Sequence, residues 1–108
     1  MKVEDKKNGL TDQTIKKIQK VFENNRKIES VYLYGSRAKG NYRNGSDIDL
    51  TIKNSNVSYS DILKIETELD DLMTPYTIDL SIFEKIENDQ LIAHINQLDV
   101  EFYKKEGN

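Results

Sequence analysis

Apolar and polar residues alternate along this chain with two different periods, and the periods divide it into elements. Ile15, Ile18, Val21 and Phe22 recur at helical spacing and predict a helix over residues 11–24. Thr11 or Asp12 can cap its start, Leu10 can staple it, and Asn24-Asn25 suits its end. Residues 28–34 are rich in β-branched and aromatic side chains and predict a strand, with Val31 and Leu33 on one face and Tyr32 and Tyr34 on the other. Gly35-Ser36 stops that strand; residues 36–40 read as a short helical turn and residues 41–45 as a polar loop with an Asn-Gly turn signal. A second strand over residues 46–53 alternates clearly: Ile48, Leu50 and Ile52 share one face, Asp47, Asp49, Thr51 and Lys53 the other. Ile62, Ile65, Leu69 and Leu72 form the apolar stripe of a helix over residues 58–73, opened by a Ser58/Asp61 capping box and barred from continuing by Pro75. A third strand over residues 77–83 places Ile78, Leu80 and Ile82 on one face and Thr77, Asp79 and Ser81 on the other. A last helix over residues 88–97 carries Leu91, Ile92 and Ile95, and Val100 and Phe102 end the chain in a short extended or frayed piece.

Three strands with one apolar and one polar face each suit an α/β (α+β) sheet covered by helices on one side and open on the other, with the acids on the open side. The 108 residues suffice for one domain, 1–108. The absence of cysteine excludes disulfides and thiolate metal sites. No apolar run approaches a membrane span, and the charged opening segment MKVEDKKNG is not a secretory signal, so a cytoplasmic location is expected. The formal net charge of −3 lacks the basic excess of a dedicated nucleic-acid-binding protein. Hydrophobic content of 36% and a mean hydropathy of −0.73 imply a small core, part of whose surroundings a partner chain can cover.

The chemistry concentrates in the acids. Asp47 and Asp49, two apart on a strand, project from one face, and Asp79 has the same parity on the third strand, flanked by Ile78 and Leu80 as Asp49 is by Ile48 and Leu50. If those strands are neighbours, the carboxylates converge. Close carboxylates repel and raise one another's pKa unless a cation sits among them. Magnesium suits them, being hard and content with a few carboxylates plus phosphate oxygens and water. Two such ions hold the attacking and leaving oxygens of an in-line displacement. The plainer reading is an acidic solvated face, but aspartate is disfavoured in strands, and three at matching parity are poorly explained by solvation.

Gly35-Ser36 directly follows a strand and opens a helical turn, where free backbone N–H groups can meet an anion. Gly35 permits close backbone approach to a phosphate, Ser36 adds a hydroxyl donor, and Arg37, Lys39 and Arg43 are candidates to meet the remaining phosphate charge. A Gly-Ser turn alone is weak evidence, and neither a P-loop nor a GxGxxG motif is present. The specificity lies in the series: strand, Gly-Ser, ten residues, Asp-x-Asp on a second strand, then a third Asp.

GSRAKGNYRNGSDIDL resembles the signature of the DNA polymerase β superfamily of nucleotidyltransferases in its smallest form, the minimal nucleotidyltransferases, with Gly35, Ser36, Asp47 and Asp49 matching its Gly-Ser and Asp-x-Asp positions. The downstream TIDLSIF resembles the family's third-carboxylate strand, which gives that part to Asp79; the similarity runs from about Val31 to Phe83. The resemblance implies a polymerase β-like fold with a small mixed sheet, two magnesium ions, and ATP as the usual substrate. It also implies a HEPN-domain toxin as partner, with transfer of AMP to a tyrosine of that toxin as the antitoxin activity. Asp47, Asp49 and Asp79 would then be the catalytic metal ligands, Asp79 also receiving the proton of the attacking hydroxyl.

The remaining candidates have plainer readings. His94, the sole histidine, lies far in sequence from the acids and reads as a solvated or half-buried structural residue. Tyr32 and Tyr34 read as sheet packing, with stacking on a base as the alternative, and Tyr42 in the motif loop is a candidate contact to nucleotide or acceptor. Lys16, Lys17 and Lys20 read as a solvated helix face. The rival functions are a non-catalytic module that masks a toxin, and a transferase acting on RNA or a small molecule, for which the chain has little room to hold an acceptor.

Overall fold

In the computed structural model, which describes residues 6–106, the chain opens with a hairpin that the hydrophobic pattern did not announce. The first five residues of the charged opening segment lie outside the described residues. Strands β1 (Lys6–Lys7) and β2 (Leu10–Thr11) pair antiparallel around Asn8-Gly9. Both turn residues have positive φ, 55° and 77°, the backbone of a tight two-residue hairpin and the reason Asn-Gly suits it. Helix α1 (Asp12–Glu23) follows at once. Thr11 caps it, its hydroxyl accepting from the Thr14 N–H at 3.2 Å.

Strands β3 (Ser30–Tyr34), β4 (Ile48–Lys53), β5 (Ile78–Ile82) and β6 (Val100–Lys104) form one mixed sheet in the order β5-β4-β3-β6. β3 is antiparallel to both its neighbours, and β4 is parallel to β5. Helix α2 (Gly35–Lys39) follows β3, α3 (Tyr59–Asp70) connects β4 to β5, and α4 (Asp89–Leu98) lies between β5 and β6 after a 3-10 turn at Phe83–Lys85. Ser58 and Asp61 complete the capping box of α3, and Asn88 caps α4 by accepting from Gln90 and Leu91. α3 ends at Asp70, earlier than its apolar stripe suggested, and Leu72 still packs against the core.

One face of the sheet makes the core. Val31, Leu33, Ile48, Leu50, Ile52, Leu80 and Ile82 pack with Ile18, Val21 and Phe22 of α1 and with Ile62, Ile65 and Leu69 of α3. This arrangement follows from period-two strands beneath period-3.6 helices. The C-terminal piece is a full edge strand rather than a frayed end. Its register slips by one residue between Val31 and Tyr32, leaving Phe102 as the extra residue of a bulge. Phe102 is buried edge-on against Phe22, ring centres 6.3 Å apart, and its carbonyl accepts from Gln19 at 2.7 Å. α4 packs against β3 and α2, where His94 meets Tyr34, so the polar side of the sheet carries one helix and is only partly open. Among the described residues no helix is long and apolar enough to cross a membrane.

Candidate functional site

Strand pairing decides which acids meet. The parallel β4/β5 register sets Asp49 directly beside Asp79, and the antiparallel β3/β4 register sets Tyr34 on the other side of Asp49. Side chains directly across from one another in a sheet share a face. Tyr34, Asp49 and Asp79 therefore form a row across three strands, opposite the core. Asp47 is exposed on the approach to β4, Asp49 is half-buried, and Asp79 is exposed.

The row is electrostatically uncomfortable. Burial first, then the charges of Asp79 and Asp47, hold the Asp49 carboxyl above the usual carboxylate range, with the nearby His94 and Arg37 side chains acting in the opposite direction. The Tyr34 hydroxyl is likewise pushed up, chiefly by burial, with Ser81 opposing and the charges of Asp79 and Asp49 adding to the rise. Among the described residues, no three acidic, imidazole or thiol groups form a preassembled cation cage. The donors nevertheless fit magnesium, which keeps one or two carboxylates and takes its other oxygens from phosphate and water.

Next to this row the chain turns sharply. Tyr34 is extended, and Gly35 has φ of +75° as it starts α2. A Cβ at Gly35 would lie 2.3 Å from Asp49 Oδ2, inside any allowed contact. The glycine is thus required twice, for its dihedral angle and because the carboxylate occupies the place of a side chain. Ser36 is partly exposed, Lys39 and Arg43 are exposed, and Arg43 donates its backbone N–H to Ser46 Oγ at 2.8 Å.

Arg37 has a use other than the one its place in the motif suggested. It is only 2% exposed. Its Nε and Nη2 donate to the Ser46 carbonyl at 3.2 and 2.9 Å, and Nη1 donates to the Asn8 carbonyl at 3.0 Å. The guanidinium lies over the rings of Tyr42 and Tyr76, 5.3 and 4.8 Å from their centres. Asn8 returns the contact, donating Nδ2 to the Arg37 carbonyl at 2.9 Å. Arg37 thus ties the N-terminal turn and the loop before Asp47 to α2, in place of meeting a phosphate. The same contact shows Tyr42 packed on an arginine within the protein.

His94, far from the acids in sequence and read as a solvated or half-buried structural residue, is half-buried beside the glycine turn. Its Nε2 accepts the Gly35 N–H at 3.1 Å, and its ring meets Tyr34 edge-on with centres 6.3 Å apart. Fifty-nine residues separate the two partners, and no local signal links them.

A family model described as Polymerase beta, Nucleotidyltransferase matches residues 16–108. No curated protein sequence matches the chain significantly. Among solved structures, a toxin–antitoxin complex with AMP-PNP superposes with a TM-score of 0.67 at 19% identity, over 85% of this chain and 74% of the other. A tri-AMPylated HEPN toxin of Shewanella oneidensis in complex with its MNT antitoxin matches at 0.63 and 17% identity, over 86% and 71% of the two chains. An MntA-HepT toxin–antitoxin structure matches at 0.64 and 16% identity, over 88% and 74%. At such identities the likeness speaks to the fold.

Proposed function

Because this chain belongs to the polymerase β nucleotidyltransferase family, we propose that it transfers AMP from ATP to a hydroxyl of a partner protein, a tyrosine of a HEPN-domain toxin, and thereby acts as its antitoxin. The observation that carries the reading is the placement of Asp49 beside Asp79 on adjacent parallel strands, pressed against a glycine turn that admits no side chain. The similar folds include complexes with an ATP analogue and with an AMPylated HEPN toxin, which supports both the donor and the acceptor class.

The acceptor hydroxyl oxygen attacks the α-phosphorus, the bond from that phosphorus to the β-phosphate bridging oxygen breaks, and pyrophosphate leaves. Asp79 takes the proton the hydroxyl loses, a role its exposure on the row supports. Ser36 offers its hydroxyl and backbone N–H to the triphosphate, with Lys39 and Arg43 near enough in the chain to offset its charge. Asp47, Asp49 and Asp79 would hold magnesium, which when bound supplies the positive charge that triphosphate and carboxylates together require. Most of the rate enhancement then comes from positioning and charge neutralisation, as is general for phosphoryl transfer.

Labelled ATP, magnesium and the co-expressed toxin test the reading. Label should appear on the toxin with the native chain, while Asp47→Ala or Asp49→Ala should transfer nothing detectable and still fold. Tight complex formation without label would instead assign the chain to masking, and undiminished transfer by either variant would reject the mechanism.

A further inference from the structure

The transfer mechanism leaves His94 without a part, although its imidazole touches the turn on which the triphosphate is read. The ring is carried by α4, which is capped by Asn88 and anchored by fully buried Ile95. Its position is therefore set by helix packing rather than by the turn. On the turn itself, the Gly35 peptide lies between two groups. The Asp49 carboxylate fills the space a side chain would take, and His94 Nε2 receives the N–H at 3.1 Å. The edge-on contact with Tyr34 holds the ring plane from the preceding residue.

Two consequences follow from this geometry. The Gly35 N–H is already donated, so the donors this turn offers an anion begin at Ser36. And Nε2 accepts only as the unprotonated nitrogen of a neutral imidazole, with its hydrogen on Nδ1. We propose that His94 is a positioning residue for nucleotide binding: through the Gly35 N–H it fixes the peptide that carries Ser36 and keeps the turn seated on Asp49. Resting on the transferase reading above, this assigns α4 the task of rigidifying the phosphate-binding turn from outside the Gly-Ser/Asp-x-Asp motif. A turn free to rotate would present Ser36 over a range of orientations and lose affinity for the triphosphate before it lost chemistry.

The test uses two substitutions and two kinds of readout in the full chain. His94→Phe keeps an aromatic ring against Tyr34 and removes the acceptor; His94→Gln places an amide oxygen near the position of Nε2. ATP binding with magnesium, KM and kcat for toxin modification, and hydrogen exchange at the Gly35 amide are measured for each. His94→Phe should raise KM for ATP about tenfold or more with a smaller change in kcat. It should also speed exchange at Gly35, and His94→Gln should recover most of both. Native KM and native Gly35 protection in His94→Phe would overturn the proposal, as would a His94→Gln protein no better than His94→Phe. Should His94→Phe fail to fold, nitrogen NMR of the native imidazole decides: a hydrogen on Nε2 rather than Nδ1 above neutral pH rules the contact out. Failure of the native chain to label the toxin would count against the transferase reading and leave the ATP-binding and Gly35 exchange measurements standing. A normal His94→Phe beside an inactive Asp49→Asn would defeat only the proposal about His94.

Discussion

Asp49 and Lys53 occupy the same face of the same strand, and their surroundings are opposites. Around Lys53 the charges match. Its Nζ meets Asp99 at 2.5 Å and lies 4.5 and 4.6 Å from the ring centres of Tyr32 and Phe83. Between them, Thr51 is fully buried with its hydroxyl joined to that of Ser81 at 3.0 Å. At the Asp49 end a second carboxylate stands where a cation would satisfy the first, and the carboxyl is held above its ordinary range. One end of the face is closed by its own residues and fastens β4 to the start of β6 through Asp99. The other keeps an unmet demand for positive charge, as a site completed by its ligands requires. Structural strain of this kind belongs where binding relieves it.

The contrast is broken most severely at Asp49. Asp49→Asn should lower AMP transfer by roughly three orders of magnitude or more, the scale of losing a main electrostatic contact in catalysis. The same change should raise the melting temperature of the metal-free chain at neutral pH. Because burial and then Asp79 and Asp47 raise the Asp49 pKa, the folded chain takes up this proton before the unfolded one does. The associated stability is present at low pH and is lost as pH rises through the raised value. The advantage of Asn over Asp should therefore shrink on acidification, and a lower melting temperature for Asn at neutral pH would show that the acid end is not strained.

Lys53→Met should do the reverse. It keeps the stem between Tyr32 and Phe83 but leaves Asp99 without its partner, and should cost about 2 kcal/mol in denaturant unfolding while nucleotide affinity stays close to native. Equal stability would mean that the pair is not what closes this end.

The smallest expected effect lies away from the polar face and calibrates the other two. Ser58→Ala removes the α3 cap and should cost about 1 kcal/mol with no change in transfer. Its partner Asp61 has its carboxyl lowered, first by the Ser58 backbone N–H and then by Lys27. Stability from that group is present above the ordinary carboxylate range and is lost as pH falls through the lowered value. The difference between native and Asp61→Asn should accordingly vanish in acid, which thermal melts across that range can check.

Features written within a few residues were legible before any coordinates. The caps at Thr11 and Ser58 depend on a side chain and an N–H three positions apart, and both form. The shared parity of Asp49, Thr51 and Lys53, and of Asp79 and Ser81, follows from the period of a strand. The Asn8-Gly9 hairpin was also within reach, since the dipeptide signals that turn, but strands of two residues have no hydrophobic period to flag them. Arg37 misled because a cation beside a Gly-Ser turn suits a phosphate and suits two carbonyls near aromatic rings equally well on paper.

The chain by itself determined the local chemistry: where three strands of the main sheet lie, which of their faces are apolar, and that acids lie on one face after a glycine turn. Tertiary structure decided which strands became neighbours, and so that Asp79 stands beside Asp49, that residues 100–104 become an edge strand, and that His94 reaches Gly35. The division has a physical cause. Parity and capping act over two to four residues and leave a period in the sequence. Strand order and helix docking are chosen by the total apolar surface that closes over the core, a sum over distant residues that no local pattern records.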